Sequence, residues 1–300
     1  MSITSAGPRR KSRRGPGWAF VAPYVLALLM FGIIPVAFAI VISFQVTPVV
    51  GASYFSLWEN FAAVISDYRF PIATGHVGLY LLLWLPPMLV VVFSLALVMD
   101  AKRTRFAAFT KFIAYLPGAI TGSAAAVLWI FMFSPTLSPA SFIVSKFVGA
   151  DGTFISNDNL AIVLAFMAIA MGSGGWIVLL FGALTAISND LIEAARLDGV
   201  SAWQLVWYVK LPLIKSYIAF ILIVSFAGGF QVFAEPAVIA SGAPGRVSTM
   251  WSINQVVFTY VTSESNFGRA SALALLLFVV CLAIAIVVLK RTKFYSIGDK

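Results

Sequence analysis

Six long apolar runs dominate the sequence, and they restrict it to folds that are embedded in a membrane. The runs cover approximately residues 18–44, 76–99, 106–133, 160–187, 213–240 and 269–289. Each run is long enough to cross the roughly 30 Å hydrocarbon core of a bilayer as a helix. Only 10% of the residues are charged, whereas a soluble domain carries about 25%. The sequence therefore predicts an all-α integral membrane protein with six transmembrane helices.

The lysines and arginines lie mostly on one side of the predicted helices. Sixteen of the twenty occur in four segments, with five, four, three and four of them in residues 1–17, 100–111, 188–215 and 290–300. Because cytoplasmic loops accumulate Lys and Arg, both termini and the 188–212 loop are predicted to be cytoplasmic. Residues 1–17 would be a basic tail and residues 18–300 the six-span domain. The net charge of +9 thus indicates topology, and no nucleic-acid partner is predicted.

No set of residues in the sequence predicts catalysis or cofactor binding by this chain. A phosphate-binding loop would read G-x-x-x-x-G-K-[ST], and no such segment occurs. The one histidine, His76, lies at a membrane boundary without neighbouring metal ligands, and the one cysteine, Cys281, lies inside an apolar run. We therefore predict no enzyme activity, no metal site and no bound cofactor.

The polar segment between the fourth and fifth runs carries signals for two short helices. Asp190 followed by Glu193 has the spacing of a capping box, in which two side chains satisfy free backbone amides at a helix start. Ser201 followed by Gln204 has the same spacing. Gly199 lies between the two pairs, where a left-handed residue would end the first helix. The pattern predicts two short helices joined by a tight turn.

Seven residues of this segment closely resemble, in type and spacing, the EAA loop of ABC-importer permeases. They are Glu193, Ala194, Ala195, Asp198, Gly199, Leu211 and Pro212. The resemblance implies a type I ABC-importer permease fold, in which residues 188–212 form a cytoplasmic coupling loop that sits in a cleft of the ATP-hydrolysing subunit. It further implies that Glu193 anchors the first helix by capping it, and that Pro212 ends the second helix before the fifth span.

Other segments resemble the sugar-importing branch of this family. Residues 233–236 read Phe-Ala-Glu-Pro and precede Gly-Ala-Pro at 242–244, similar to the F-x-E-P and G-G-P pattern of that branch. Residues 268–272 are similar to the start of the last helix in maltose and glycerol-phosphate permeases. Three residues depart from the family pattern, namely Val200, Val206 and Ala243.

The resemblance implies that the chain forms half of a translocation path for a sugar or sugar derivative in a bacterial-type cytoplasmic membrane. The partners it implies are a homologous second permease, two copies of an ABC ATPase subunit, an external solute-binding protein and membrane lipid. ATP and Mg²⁺ would bind to the ATPase subunits. This chain would be coupled to ATP hydrolysis by those subunits and would not hydrolyse ATP itself.

A candidate solute path lies near the outer end of the fifth run. Gln231 and Glu235 are four residues apart, so on a continuous helix they would share one face, with the aromatic residues Phe230 and Phe233 beside them. Glu235 is the only carboxylate within an apolar run, and a charge there is expected to face a bundle interior or a water-filled cavity. Alternatively, Glu235 lies at the outer boundary and pairs with Arg246 or Arg269, which lie outside this run.

Two other functions are compatible with six apolar runs. An ion-coupled secondary transporter usually carries several ionisable residues within its spans, and here only Glu235 qualifies. A membrane scaffold without transport activity would not require the spacing from Glu193 to Pro212. The loop pattern therefore favours an ATP-driven importer over both.

Overall fold

The chain is helical almost throughout in the computed structural model, which describes residues 18–48, 50–101, 105–120, 122–146 and 154–292. The predicted basic tail at residues 1–17 lies outside these described residues. Fourteen α-helices occur in the described parts of the chain. In order they are α1 Trp18–Leu28, α2 Ile34–Ser43, α3 Glu59–Ser66, α4 Arg69–Ala101, α5 Arg105–Tyr115, α6 Gly122–Met132, α7 Ser141–Val144, α8 Leu160–Thr185, α9 Asn189–Leu197, α10 Ala202–Gln204, α11 Leu211–Phe230, α12 Ala234–Gly242, α13 Ile253–Thr262 and α14 Phe267–Thr292.

Short segments of other geometry connect some of these helices. π-Helical turns at Leu29–Ile33 and Leu205–Lys210 precede α2 and α11, and a 3-10 turn at Leu116–Ala119 follows α5. After α2 the chain forms two short antiparallel strands, β1 Gln45–Val46 and β2 Tyr54–Phe55. In their register Gln45 lies opposite Phe55 and Val46 opposite Tyr54.

Within the described residues, five helical stretches are long and apolar enough to cross a membrane. They are Phe20–Ser43, Arg69–Ala101, Leu160–Thr185, Ala202–Gly242 and Phe267–Thr292. A sixth candidate consists of two helical pieces, Ala108–Ala119 and Gly122–Met132, which meet at an angle of 99°. The prediction of a helical membrane protein is confirmed, and the number of spans reaches six when the bent pair is counted as one.

The third and second spans differ from their predicted outlines. The prediction that residues 106–133 form one continuous helix is wrong, because the chain bends between α5 and α6. Pro117 lacks a backbone N–H inside the 3-10 turn, and Gly122 adopts a φ of +61°, which only glycine tolerates easily. The second span begins at Arg69, seven residues before the predicted start at residue 76, so the connection from the first span is shorter than expected.

The core lies between α4 and α8, which pack against each other along much of their length. Buried positions on α4 recur at intervals of three or four residues, which places them on one helical face. They include Val77, Leu81, Trp84, Met88, Val92, Ala96 and Met99. Leu164, Ile177 and Leu184 of α8 belong to the same buried cluster. α11 packs against α4, α8 and α14.

A buried amide side chain holds the end of the first span. Asn60, only 3% exposed, donates hydrogen bonds to the carbonyls of Ser43 at 3.0 Å and Gln45 at 2.9 Å. The last carbonyls of a helix have no intrahelical partner, so the amide satisfies a group that α2 leaves free. Gly268 approaches the same Gln45 carbonyl closely. These contacts attach α2 to α3 and α14.

A network of charged and aromatic side chains joins the start of α4 to α13. Arg69 forms a bidentate ion pair with Asp67, in which Nη2 lies 2.6 Å from Oδ2. Nη1 of Arg69 lies 2.7 Å from Glu264 Oε1. Tyr260 donates its hydroxyl to Asp67 Oδ2 at 2.7 Å, and its ring lies 4.8 Å from the guanidinium carbon. Hydrogen bonds from Arg69 hold the pKa of the Asp67 carboxyl far below its usual range, and the Tyr260 hydroxyl acts in the same direction.

We expect Asp67→Asn to lower the free energy of unfolding by about 1–3 kcal/mol, because the half-buried Arg69 and the buried Tyr260 lose a charged acceptor for their hydrogen bonds. A carboxyl group whose pKa is lowered by folding stabilises the folded state fully at pH values above its unfolded pKa of about 3.9. It loses this stabilising contribution only at lower pH. Thermal melting of the purified protein should therefore give a wild-type-to-variant difference that is constant from pH 7 to pH 5. Glu59→Gln, at an exposed carboxylate of α3, should leave melting nearly unchanged. A difference that disappears by pH 5 would contradict the lowered pKa.

Candidate functional site

A serine, and not an aspartate, caps the first helix of the loop between α8 and α11. Ser188 accepts a hydrogen bond from the Leu191 N–H at 3.3 Å, and α9 begins at the next residue. The predicted capping box of Asp190 with Glu193 is therefore wrong, because both residues lie inside the first turns of the helix. An aspartate at that position still interacts favourably with the positive end of the helix dipole.

The turn after α9 has the geometry that the sequence predicts. Gly199 has a φ of +80°, and its N–H donates to the Arg196 carbonyl at 3.0 Å. The Val200 N–H donates to the Ala195 carbonyl at 3.2 Å. Together these two bonds form a Schellman motif, which satisfies carbonyls at the end of a helix. The prediction that Gly199 ends the first helix in a left-handed conformation is confirmed.

The second helix of the loop runs on into the membrane. Ser201 and Gln204 form the predicted capping box, with each side chain bonded to the backbone N–H of the other residue. The π-helical turn Leu205–Lys210 then leads directly into α11, whose first turn contains Pro212. The prediction that Pro212 ends the second helix is wrong. Proline is tolerated here because the first turn of a helix does not require its N–H.

Most residues that resemble the EAA loop lie on the surface. Glu193, Ala194, Asp198, Gly199 and Pro212 are exposed, whereas Ala195 and Leu211 are half-buried. Ile192 is buried and anchors α9 to the rest of the protein. Glu193 and Arg196 also line a groove of about 600 Å³ between α9, the π-helical turn and the end of α4. The loop thus presents an exposed helix beside a groove.

A buried ion pair that the sequence did not predict lies in this groove. Lys210 Nζ is 2.6 Å from Asp100 Oδ2, and the two residues are only 9% and 6% exposed. They are 110 residues apart in the chain, so no local spacing could link them. The one signal in the sequence is that both charges lie where an apolar run ends.

The fifth span is interrupted at the residues proposed to face the solute. α11 ends at Phe230 and α12 starts at Ala234, and the residues between them are not helical. Asn254 donates a hydrogen bond to the Gln231 carbonyl at 2.7 Å, which satisfies a group that the break frees. The prediction that Gln231 and Glu235 share one face of a continuous helix is therefore wrong.

The same break nevertheless forms part of the wall of one cavity. This cavity has a volume of about 470 Å³, and Gln231, Phe233 and Glu235 line it. Tyr80 and Trp84 of α4 line it as well, with their rings stacked at a centroid distance of 5.4 Å. Aromatic faces beside amide and carboxylate groups can bind a polar molecule that also has an apolar face.

A glycine allows α11 to lie directly on the aromatic residues of α4. A Cβ at Gly229 would lie 2.8 Å from Leu81 Cδ2 and 2.9 Å from Trp84 Cε3, so a larger residue would push the helices apart. Trp84 Nε1 is buried and has no hydrogen-bond partner within the described part of the chain.

The remaining path residues occupy two different surroundings. Glu235 is half-buried, and in the described residues it forms no ion pair with Arg246 or Arg269, which was the alternative interpretation. Phe230 stacks on Phe226 at 5.4 Å and lines a separate apolar cavity, so it does not join the other path residues.

Known proteins resemble this chain over nearly all of its length. The profile of a family described as binding-protein-dependent transport system inner membrane component matches residues 3–291. The probable starch degradation products transport system permease protein AmyD of Thermoanaerobacterium thermosulfurigenes is 27% identical over 286 residues, covering 92% of this chain and 94% of that protein. The sn-glycerol-3-phosphate transport system permease protein UgpA of Escherichia coli O157:H7 is 29% identical over 283 residues, covering 92% and 95%.

A solved structure has the same fold. It is the crystal structure of a bacterial alginate ABC transporter in complex with an alginate pentasaccharide-bound periplasmic protein, and one of its chains superposes with a TM-score of 0.74. The identity is 19%, and the match covers 92% of this chain and 94% of that one. At this identity the likeness establishes the fold of the helices around the cavity and the loop.

Proposed function

The chain belongs to the family of binding-protein-dependent transport system inner membrane components, and we propose that it is the permease subunit of an ATP-driven importer of a sugar or sugar derivative. Membership of this family removes the two alternatives, an ion-coupled secondary transporter and a membrane scaffold. Relatives named for starch degradation products and for sn-glycerol-3-phosphate support the solute class. The family name itself supports an external binding protein as a partner.

One observation carries this proposal: the same helix joins the cytoplasmic loop to the cavity. α11 follows the loop at Leu211 and reaches the cavity wall at Gly229. A displacement of the loop would therefore be transmitted along the helix to the solute. This is the arrangement that a permease requires if an event at its cytoplasmic surface is to open or close a path within the membrane.

The cavity is suited to a sugar by its mixture of surfaces. Trp84 and Tyr80 offer aromatic faces on which the apolar face of a pyranose ring stacks. Gln231 and Glu235 would form hydrogen bonds with hydroxyl groups at the ring edge. Phe233 adds a further apolar wall. The second permease would supply the other half of the path.

The partners would be a homologous second permease, two copies of an ABC ATPase subunit and an external solute-binding protein. ATP and Mg²⁺ would bind to the ATPase subunits, each of which would receive a loop such as α9–α10 in a surface cleft. The exposed Glu193 and Asp198 of this loop would meet the cleft. Closure of the ATPase dimer would carry the loops inward and open the cavity to the outside, and hydrolysis would reset the inward-facing state.

The proposed orientation predicts opposite labelling of two exposed positions. In a Cys281→Ser background, Ala202→Cys on the loop should react with a membrane-impermeant thiol reagent only from the cytoplasmic side. Asp158→Cys, which precedes α8, should react only from the outside, since a single span separates the two positions. Labelling of both cysteines from the same side would rule out this topology and with it the contact with an ATPase.

The test of the function is ATP-dependent uptake by the complex reconstituted in proteoliposomes with its binding protein. We expect Glu235→Gln and Gln231→Ala to lower uptake at limiting solute about tenfold, the effect of losing about 1.4 kcal/mol of hydrogen bonding. Glu59→Gln, at an exposed carboxylate remote from the cavity in sequence, is the matched control and should transport normally. If both cavity variants keep wild-type uptake at limiting solute, the path lies elsewhere.

A further inference from the structure

The Asp100–Lys210 ion pair joins the end of α4 to the start of α11, beside the α9–α10 loop. Asp100 is the penultimate residue of α4, and Lys210 immediately precedes α11. Nζ and Oδ2 are 2.6 Å apart, and the side chains are 2% and 11% exposed for Asp100 and Lys210. Lys210 is one of the partners of Asp100. Water is largely excluded, so the attraction between the charges is weakly screened.

A second joint between the same helices lies at the cavity. Gly229 near the end of α11 is in contact with Trp84 and Leu81 of α4. From Trp84 to Asp100 the rise of the helix is about 24 Å at 1.5 Å per residue, and from Lys210 to Gly229 it is about 28 Å. The two joints are thus separated by most of the thickness of a bilayer. Two helices fixed at both levels cannot slide or rotate independently without breaking one joint.

We infer that the Asp100–Lys210 pair makes α4 and α11 one rigid unit, so that displacement of the cytoplasmic loop moves both aromatic and polar walls of the cavity together. Asp100 and Lys210 are positioning residues, because neither touches the solute. Without the pair, α4 would remain packed on α8, but the start of α11 would no longer be fixed to α4, and the two walls of the cavity could shift relative to each other. This inference rests on the proposed function, since it describes how the loop acts on the path.

The first experiment measures solute transported per ATP hydrolysed by the reconstituted complex. We expect Lys210→Met, which keeps most of the apolar stem, to lower this ratio at least fivefold. Lys215→Met removes an exposed lysine from the same helix and should leave the ratio unchanged. Reduced assembly of the Lys210→Met complex with an unchanged ratio per assembled complex would overturn the inference, because the pair would then only stabilise the fold.

A second experiment replaces the ion pair by a covalent link. In the Cys281→Ser background, Asp100→Cys combined with Lys210→Cys should uncouple the complex, and a bifunctional methanethiosulfonate reagent that bridges the cysteines should restore the ratio. Reduction of the bridge should lower the ratio of solute transported to ATP hydrolysed again. If the bridged protein stays uncoupled or stops transporting, α4 and α11 move relative to each other and the inference fails. The ATP dependence of uptake by the wild-type complex is measured first. Uptake that needs no ATP would overturn the proposed function instead.

Discussion

Replacement of Gly174 by alanine is expected to lower the yield and the melting temperature of the folded permease strongly. A Cβ at Gly174 would overlap the Ala114 carbonyl oxygen and lie 2.7 Å from its carbon and 2.8 Å from Tyr115 Cα. These are backbone atoms, so no side-chain rotation relieves the overlap. At the same crossing, a Cβ at Gly118 would lie 2.7 Å from the Met171 carbonyl oxygen.

The expected cost of Gly174→Ala is about 3 kcal/mol or more, at the upper end of overpacking effects, because α8 must separate from α5. The adjacent glycine gives a matched control, since a Cβ at Gly175 meets no atom within 4 Å. Gly175→Ala should be neutral or slightly stabilising, because alanine favours helix. The effects of both substitutions are measured by the yield of monodisperse protein and its melting temperature in detergent. Equal behaviour of the two variants would show that α5 and α8 do not cross at Gly174.

The sequence predicts those features of the fold that depend on local pattern. Hydrophobic length locates the spans, and the spacing around Gly199 and Ser201 identifies the turn and the second capping box. The family resemblance carried by the loop is confirmed by the match to residues 3–291. Each of these signals is contained in a few consecutive residues, so no knowledge of tertiary contacts is needed to read it.

Features that depend on pairing across the chain could not be predicted in the same way. The Asp100–Lys210 pair joins residues 110 positions apart, and Asn60 finds its partners at the end of a different helix. Local signals also competed with one another. Ser188 precedes Asp190 by two residues, and either residue type caps a helix well, so spacing alone did not decide between them.

Three of the four candidate path residues, Gln231, Phe233 and Glu235, line one cavity, whose shape the sequence did not predict. Gln231 and Glu235 do line one cavity, yet the break between α11 and α12 brings them there, and not a shared helical face. At the break, the side chain of Asn254 on a later helix donates a hydrogen bond to the Gln231 carbonyl. The sequence did not predict that Tyr80 and Trp84 line the cavity, because aromatic residues are common in apolar spans.

Gly199→Val is expected to lower transport about tenfold or more while the protein still inserts and folds. Gly199 has a φ of +80°, and a Cβ there would meet no atom within 4 Å. The penalty is therefore purely conformational, since a β-branched residue in this region costs about 1–3 kcal/mol, and 1.4 kcal/mol corresponds to tenfold. The turn would open, and α10 would no longer follow α9 in the orientation that its capping bonds fix.

Two control variants separate this effect from general strain. Asparagine tolerates the left-handed region, so Gly199→Asn should retain most of the transport. Gly245 has a φ of +77° and equally free space around its Cβ position, but it lies after α12 on the proposed outer side. Gly245→Val should carry the same backbone penalty without loss of the ATPase subunits during purification, whereas Gly199→Val should lose them. Equal retention of the ATPase in both valine variants would mean that the α9–α10 turn does not form the contact through which ATP hydrolysis drives transport.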